Sequence, residues 1–172
     1  MPSSIPTIET RRLTLRGYRL DDFEACAALW ADPYVTRFIG GRPLSAEESW
    51  ARLLRYAGHW WLLGYGYWVV EEKATGTFVG ELGFAQWRRE IEPAIEVPEA
   101  GWVLATAAHG RGYATEALQA ALVWAGGHFA KPHTACLIHP DNLASVRVAL
   151  KCGYHESARV NYRGQLTVLF ER

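Results

Sequence analysis

The chain has 172 residues, with 18 Lys and Arg balanced by 18 Asp and Glu, 49% hydrophobic residues, and 8 Trp, 8 Tyr and 6 Phe. That composition fits a single globular domain spanning residues 1–172 and excludes a disordered chain, which would be short of aromatics. Residues 1–86 carry 9 basic and 10 acidic groups and residues 87–172 carry 9 and 8, so neither half offers the basic footprint that a nucleic-acid partner needs.

In chain order, Leu13-Thr14-Leu15-Arg16 alternates like a strand, and apolar residues at Phe23, Cys26, Ala27 and Trp30 predict a helix over 21–32. Ser45 and Glu48 form a capping box, followed by an apolar stripe of Trp50, Leu53, Leu54, Ala57 and Trp61 that predicts a second helix. Tyr67 to Glu72 and Thr77 to Ala85 read as a hairpin around Lys73-Ala74-Thr75-Gly76. Residues 87–98, with Pro93 and Pro98, predict a loop that leads into a strand at Gly101 to Ala105. The stripe Ala114, Ala117, Leu118, Ala121, Leu122 and Ala125 predicts the clearest helix, ended by Gly126-Gly127. A strand at Thr134 to Ile138, a helix from Asn142 to a stop at Gly153, and two strands across Arg163-Gly164 complete a mixed α+β pattern.

Cys26, Cys136 and Cys152 are odd in number and widely spaced, and no charged segment with an apolar run follows Met1, so a reduced, cytosolic protein is expected. The longest apolar stretch, Trp60 to Val70, is 11 residues and contains two glycines, against the ~20 that a membrane span requires. Seven aromatics between Trp50 and Trp68 serve either as core or as a wall facing a ligand. Cys136-x-x-His139 and Cys152-x-x-His155 have ligand-like spacing, but one runs from a strand into a turn and the other straddles a helix end, so no metal site is expected. No motif supports a Ser-His-Asp or Cys-His nucleophile.

The most informative segment joins the strand ending at Leu104 to the best helix through His109-Gly110-Arg111-Gly112-Tyr113-Ala114-Thr115. At such a junction the unpaired amides of the first helical turn and the positive end of the helix dipole suit a phosphate or pyrophosphate. Gly110 and Gly112 permit positive φ, and Arg111 adds charge. From Gly-x-Gly alone, an ordinary strand-to-helix turn fits equally well. The dinucleotide fingerprint fails because Thr115 stands where its third glycine belongs, and no Gly-Lys-Ser/Thr occurs for a Walker loop.

The loop from His109 to Ala114 resembles the acetyl-CoA loop, Gln/Arg-x-x-Gly-x-Gly/Ala, of the GCN5-related N-acetyltransferase (GNAT) family. Its extension through Thr115-Glu116-Ala117 is similar to the branch that acetylates the N-terminal alanine or serine of ribosomal proteins. Glu9 to Arg16, Glu99 to Leu104, Asn142 to Ser145 and Lys151 to Tyr154 match that branch in order, so the resemblance covers almost the whole chain. It implies a split, mostly antiparallel sheet of six or seven strands with about four helices, and acetyl-CoA between two diverging parallel strands at 100–105 and 133–138. It further implies pantetheine paired with backbone groups of Val103 and Leu104, and pyrophosphate held by the amides of Gly110, Arg111, Gly112, Tyr113, Ala114 and Thr115. Asn142 matches the side chain that bonds the pantetheine arm, and it fits a helix cap as well. His109 stands where the family has Gln or Arg, which spares the backbone cradle.

Direct acetyl transfer needs a neutral amine, a polarised carbonyl and a proton for the departing thiolate. An α-amine has a reference pKa near 8 and a lysine near 10.4, so deprotonating lysine costs roughly 3 kcal/mol more and a weak base suits an N-terminal acceptor. Glu99, which matches the family's acidic position, is the first candidate base and Glu81 the second; either fits a paired or solvated carboxylate too. A backbone N–H of Val103 or Leu104 is the expected oxyanion donor. Ala149 occupies the position of the family's usual tyrosine acid, which leaves Ser145 as proton donor or as a helix-start hydroxyl, and Tyr154 reads as core.

The resulting expectation is a cytoplasmic, acetyl-CoA-dependent N-acetyltransferase acting on a protein N-terminal α-amine, as a monomer or homodimer. The alternatives are a small-amine acetyltransferase on the same scaffold, a non-catalytic acyl-CoA-binding module, or a nucleotide-phosphate enzyme.

Overall fold

The computed structural model describes residues 5–172. The chain enters through β1 (Ile8–Glu9) and β2 (Leu13–Arg16), where Leu13 and Leu15 point into the core and are fully buried, as their alternation predicts. After a 3-10 turn at Leu20–Asp22 comes α1 (Phe23–Ala31), and then α2 (Pro33–Thr36), a single turn with too few residues to show a period. Asp32 caps α2 by accepting the Tyr34 N–H at 2.8 Å, and Pro33 sits at its first position, where no N–H is needed.

Helix α3 (Ala46–Leu63) starts on the expected capping box: the Ser45 hydroxyl accepts from the Glu48 N–H at 3.2 Å, and the Glu48 carboxylate from the Ser45 N–H at 2.8 Å. Its buried side is Ser49, Leu53, Tyr56 and Trp60, one residue around from the expected stripe, and Trp61 and Leu54 are exposed. The last turns are apolar on every side, so the sequence pattern does not select a face; aromatic packing does.

The hairpin β3 (Tyr67–Glu72) and β4 (Phe78–Ala85), strand β5 (Glu99–Leu104), helix α4 (Tyr113–His128), strand β6 (Ala135–Ile138), helix α5 (Leu143–Lys151) and the hairpin β7 (His155–Tyr162) and β8 (Gln165–Glu171) follow the expected order. One boundary differs. Helix α4 runs through Gly126-Gly127 to His128, because Phe129 fixes the exit by packing on Phe84 at 5.4 Å and Tyr65 at 5.1 Å, which outweighs the weak helix propensity of glycine.

The eight strands form one sheet in the order β1-β2-β3-β4-β5-β6-β8-β7. All neighbours are antiparallel except β5 and β6, which are parallel and share a single register pair, Glu99 with Ala135. The count exceeds the expected six or seven because the two-residue β1 is paired. One face packs on α4, with Trp68, Leu82 and Phe84 against Ala117, Leu118 and Ala121, all essentially inaccessible. The other face carries α1 to α3, with Val103 against Leu29, Trp30 and Val35.

Candidate active site

Past their one shared pair, β5 and β6 diverge and leave a gap in the middle of the sheet. The Ala105 N–H donates to the Val79 carbonyl at 2.9 Å. The alternation of an antiparallel pair then turns the Val103 backbone toward Glu81 in β4, and the backbones of Trp102 and Leu104 toward the gap. This corrects the expectation for Val103, which lines the cavity but spends its own polar backbone groups inside the sheet; Trp102 takes its place on the open edge. His109 folds back so that its Nε2–H donates to the Leu104 carbonyl at 2.9 Å.

The turn into α4 places Gly110 at φ +74° and Gly112 at φ +76°, the left-handed region that a β-branched residue enters only with strain. Gly112 is the N-cap and has no side chain to satisfy the first-turn amides, so those of Tyr113, Ala114 and Thr115 stand ready for an anion. The start of the chain braces this turn. The Thr10 hydroxyl donates to Glu116 at 2.6 Å, Arg12 Nε pairs with Glu116 at 2.7 Å, and Arg12 Nη1 donates to the Arg111 carbonyl at 2.9 Å. Two sequence segments that matched the family separately, Glu9 to Arg16 and Thr115 to Ala117, therefore meet in space. Arg111 itself pairs with Glu72 at 2.6 Å, and the Tyr113 hydroxyl donates to the same carboxylate.

The turn opens into a cavity of 390 Å³ between β5, α4 and α5, which also holds Asn142 and Ser145. Among the described residues, Arg37, Arg147 and Lys151 line it and no carboxylate does, so three cations and the free amides converge on one space. A polyphosphate with a thin extended arm fits that donor set. Asn142 fills the capping role: its Oδ1 accepts the Ser145 N–H at 3.2 Å at the start of α5, and its side chain lines the cavity.

A second, smaller cavity of 130 Å³ adjoins the first across Trp102, Val103, Asn142 and Ser145. Tyr67 forms part of its wall, stacked on Tyr56 with centroids 4.2 Å apart and planes at 6°. A Cβ on Gly101 would fall 1.9 Å from the Tyr67 hydroxyl, so glycine is required there for the ring to lie across β5. Glu99 lines the same cavity, is 6% exposed, and receives both Nε and Nη2 of Arg89 at 2.7 Å. Arg89 comes from the loop at 86–98 and lies 4.6 Å over the Tyr162 ring, which ties that loop and β7 to the site.

Of the expected catalytic residues, Glu99 and Ser145 are brought to this junction and Glu81 is not. Glu81 lies on the next strand, is fully buried, and lines neither cavity. The Trp30 Nε1–H donates to its Oε2 at 2.7 Å, and burial pushes its pKa up. Direct contact with an acceptor is closed to it. The aromatic run divides: Trp60 and Trp68 pack in the core with Trp124, at 4.8 and 5.0 Å from Trp68, whereas Tyr56 and Tyr67 face the cavity. Sequence reasoning missed Trp30, Arg52, Arg89 and His139 as cavity residues or their partners. The only available signal was at His139, four positions after Ala135 on a strand assigned to the gap, where it stacks on Phe38 at 5.2 Å. Cys136 and Cys152 are buried free thiols, and among the described residues no three metal-ligating side chains cluster.

The chain matches the family model described as the acetyltransferase (GNAT) domain over residues 12–155. It is a GNAT acetyltransferase. A solved GNAT-family acetyltransferase from Bordetella pertussis is 30% identical, with a TM-score of 0.84 over 97% of this chain and 99% of that one. YkkB of Bacillus subtilis is 35% identical over 111 residues, which are 63% of each protein, so the match spans less than two thirds of that relative. Two structures show the shared fold alone. A spermidine N-acetyltransferase from Vibrio cholerae, in complex with CoA and spermine, is 17% identical with a TM-score of 0.74 over 95% of this chain and 96% of that one. An acetyltransferase from Salmonella typhimurium that modifies the N-terminal serine of a 50S ribosomal subunit protein is 17% identical with a TM-score of 0.79 over 97% and 98%. The chain is thus an N-acetyltransferase whose cosubstrate is acetyl-CoA, and the binding-module and nucleotide-enzyme alternatives fall away.

Proposed function

We propose that this GNAT protein transfers acetyl to the α-amine of a protein N-terminus, as the Salmonella neighbour does for its ribosomal protein. The observation that carries the reading is the charge at the acceptor end. The one carboxylate lining the smaller cavity, Glu99, is already bound by Arg89, and Arg52 adds a further cation. A polyamine or another polycation would meet net positive charge there, whereas a single α-amine, roughly a tenth of it neutral at pH 7, needs only a hydrogen-bond acceptor.

Each Glu99 oxygen accepts one bond from Arg89 and keeps a second lone pair, so Glu99 can orient the amine and pass its proton to water. The open-edge N–H groups of Trp102 and Leu104 are the donors placed to polarise the carbonyl and to hold the arm behind it. Acetyl-CoA supplies the activated acyl group; the amides from Gly110 to Thr115, with Arg37, Arg147 and Lys151, hold its phosphates, and the Asn142 amide its arm. The Ser145 hydroxyl, on the wall shared by the two cavities, relays a proton to the departing sulfur. The same reading places the protein in the cytosol with its three buried thiols reduced; no helix among the described residues is long and apolar enough to cross a membrane.

An acceptor panel followed by thiol release and product mass tests this. Peptides with free N-termini should be acetylated once, at the α-amine, and faster than spermidine or the lysine side chain of an N-blocked peptide. Faster turnover of spermidine than of every peptide would overturn it.

A further inference from the structure

The buried and half-buried arginines of this protein are not treated alike. Arg16 is paired with both Asp22 and Glu71, and Arg89 with Glu99. Arg52, which enters the acceptor cavity from α3, has no ion pair among the described residues. Its guanidinium lies 3.8 Å over the Trp30 indole, and its one hydrogen bond runs from Nη1 to the Tyr56 hydroxyl at 3.2 Å. Its Nε is shielded from solvent and has no partner. Cation–π contact and one neutral hydroxyl compensate a half-buried guanidinium poorly, because its planar fork is built to receive two oxygens of an anion.

The nearby acid does not fill that role. Glu81 meets the Nε1 edge of the indole whose face Arg52 covers, and among the described residues it makes no ion pair with Arg52 and has one oxygen with no hydrogen-bond partner. Burial favours its neutral form, so it offers Arg52 only a weak attraction and no paired oxygens. The acid that does line the cavity, Glu99, is held on both oxygens by Arg89. A cation facing a small space whose one lining carboxylate is committed to another arginine marks a place where the ligand brings an anion.

We propose that Arg52 is a specificity residue that binds a carboxylate of the acceptor, so that the preferred substrate carries an acidic group close to its reacting amine. The inference rests on assigning the smaller cavity to the acceptor. Glu99 and Arg52 line the same 130 Å³, room for about ten water-sized atoms, which confines amine and carboxylate to one residue or two adjacent ones. The carboxylate has two possible sources: the side chain of an Asp or Glu at the first or second position of a peptide, or the α-carboxylate of a free amino acid.

The test compares kcat/KM for matched peptides beginning Asp-Ala and Asn-Ala, Ala-Glu and Ala-Gln, and for free aspartate and alanine, in the native protein, Arg52→Met and Arg52→Lys. The native enzyme should prefer the acidic member of a peptide pair by about tenfold or more, the worth of one charge-assisted hydrogen bond or better. Arg52→Met should abolish that preference, lowering kcat/KM for the acidic peptides by about tenfold or more beyond any fall for their amide partners. Arg52→Lys, which keeps the charge and loses the fork, should fall between them. Turnover of free amino acids ahead of peptides would assign the carboxylate to the α position and support the proposal. Equal use of acid and amide by the native enzyme, or an equal fall for both in a folded Arg52→Met, would overturn it. Succinate, tested as an inhibitor against whichever amine is used fastest, separates this from the acceptor assignment. Inhibition that disappears in Arg52→Met upholds the anion site even if spermidine is the better amine, and no inhibition with a spermidine preference defeats both.

Discussion

The two ends of the cleft are built on different principles. The cofactor end is mostly backbone: two left-handed glycines, the amides opening α4 and the open edge of β5, supplemented by Arg37, Arg147 and Lys151. The acceptor end is mostly side chain, with Trp30, Arg52, Tyr56, Tyr67 and Glu99 arriving from four separate elements and held by Arg89 from a loop. A backbone cradle needs only that its residues stay small or conformationally permissive, so one scaffold keeps one cosubstrate. A side-chain pocket changes with every substitution, and acceptor identity can diverge while the fold persists.

The sharpest way to break this division is Glu99→Gln. The amide keeps the shape and one accepting oxygen but loses the ion pair with Arg89 and the carboxylate that passes the amine's proton on. A fall in kcat of ~10²-fold or more is expected, in the range for a positioned acid–base group, with the Kd for acetyl-CoA unchanged. Stopped thiol release together with calorimetric CoA binding reads both quantities. A variant that loses CoA affinity in step with kcat would show that the two ends are not separable.

Gly112→Val attacks the other end. Forcing a β-branched residue to φ +76° costs about 1–3 kcal/mol, which the turn relieves by moving the amides it presents. Acetyl-CoA should bind about tenfold or more weakly, while the ratio of kcat/KM between any two acceptors stays fixed. A changed acceptor ratio would mean that the cradle also shapes the acceptor pocket.

The same division explains how much was legible beforehand. Ser45 with Glu48, the α4 stripe and the Gly110-x-Gly112 loop are local patterns, and each appears in the structure where the sequence puts it. Arg52, Tyr67 and Arg89 are ordinary residues in their own segments and acquire meaning only when α3, β3 and the loop at 86–98 converge. The face of α3 shows the limit most clearly: with Trp60, Trp61, Leu62 and Leu63 in succession, periodicity selects no side, and contacts with Trp68 on the next strand and with Trp124, far away in the chain, decide which ring is buried. Val103 failed for a finer reason. Which of two adjacent residues offers its backbone to the gap depends on sheet register, and register is set by pairing with β4.

The smallest effect on catalysis is expected at Glu81, whose position behind Trp30 makes it a test of the wall between the two chemistries rather than of either end. Burial raises its pKa in the folded state above the reference 4.5, so from that value upward the folded protein holds a proton that the unfolded chain has released. Stability is therefore fully present below pH 4.5 and is lost as pH rises toward the raised folded value, at up to about 1.4 kcal/mol per pH unit. Glu81→Gln, neutral at every pH and still able to accept from the Trp30 N–H, removes that slope. Urea midpoints at pH 4.5, 6 and 7.5 should show the variant equal to the native protein at the lowest value and more stable at the highest, with kcat within about threefold throughout. Parallel pH profiles would mean that Glu81 is ionised in the fold. Arg52 would then have an anion of its own, and its claim on the acceptor's carboxylate would weaken accordingly.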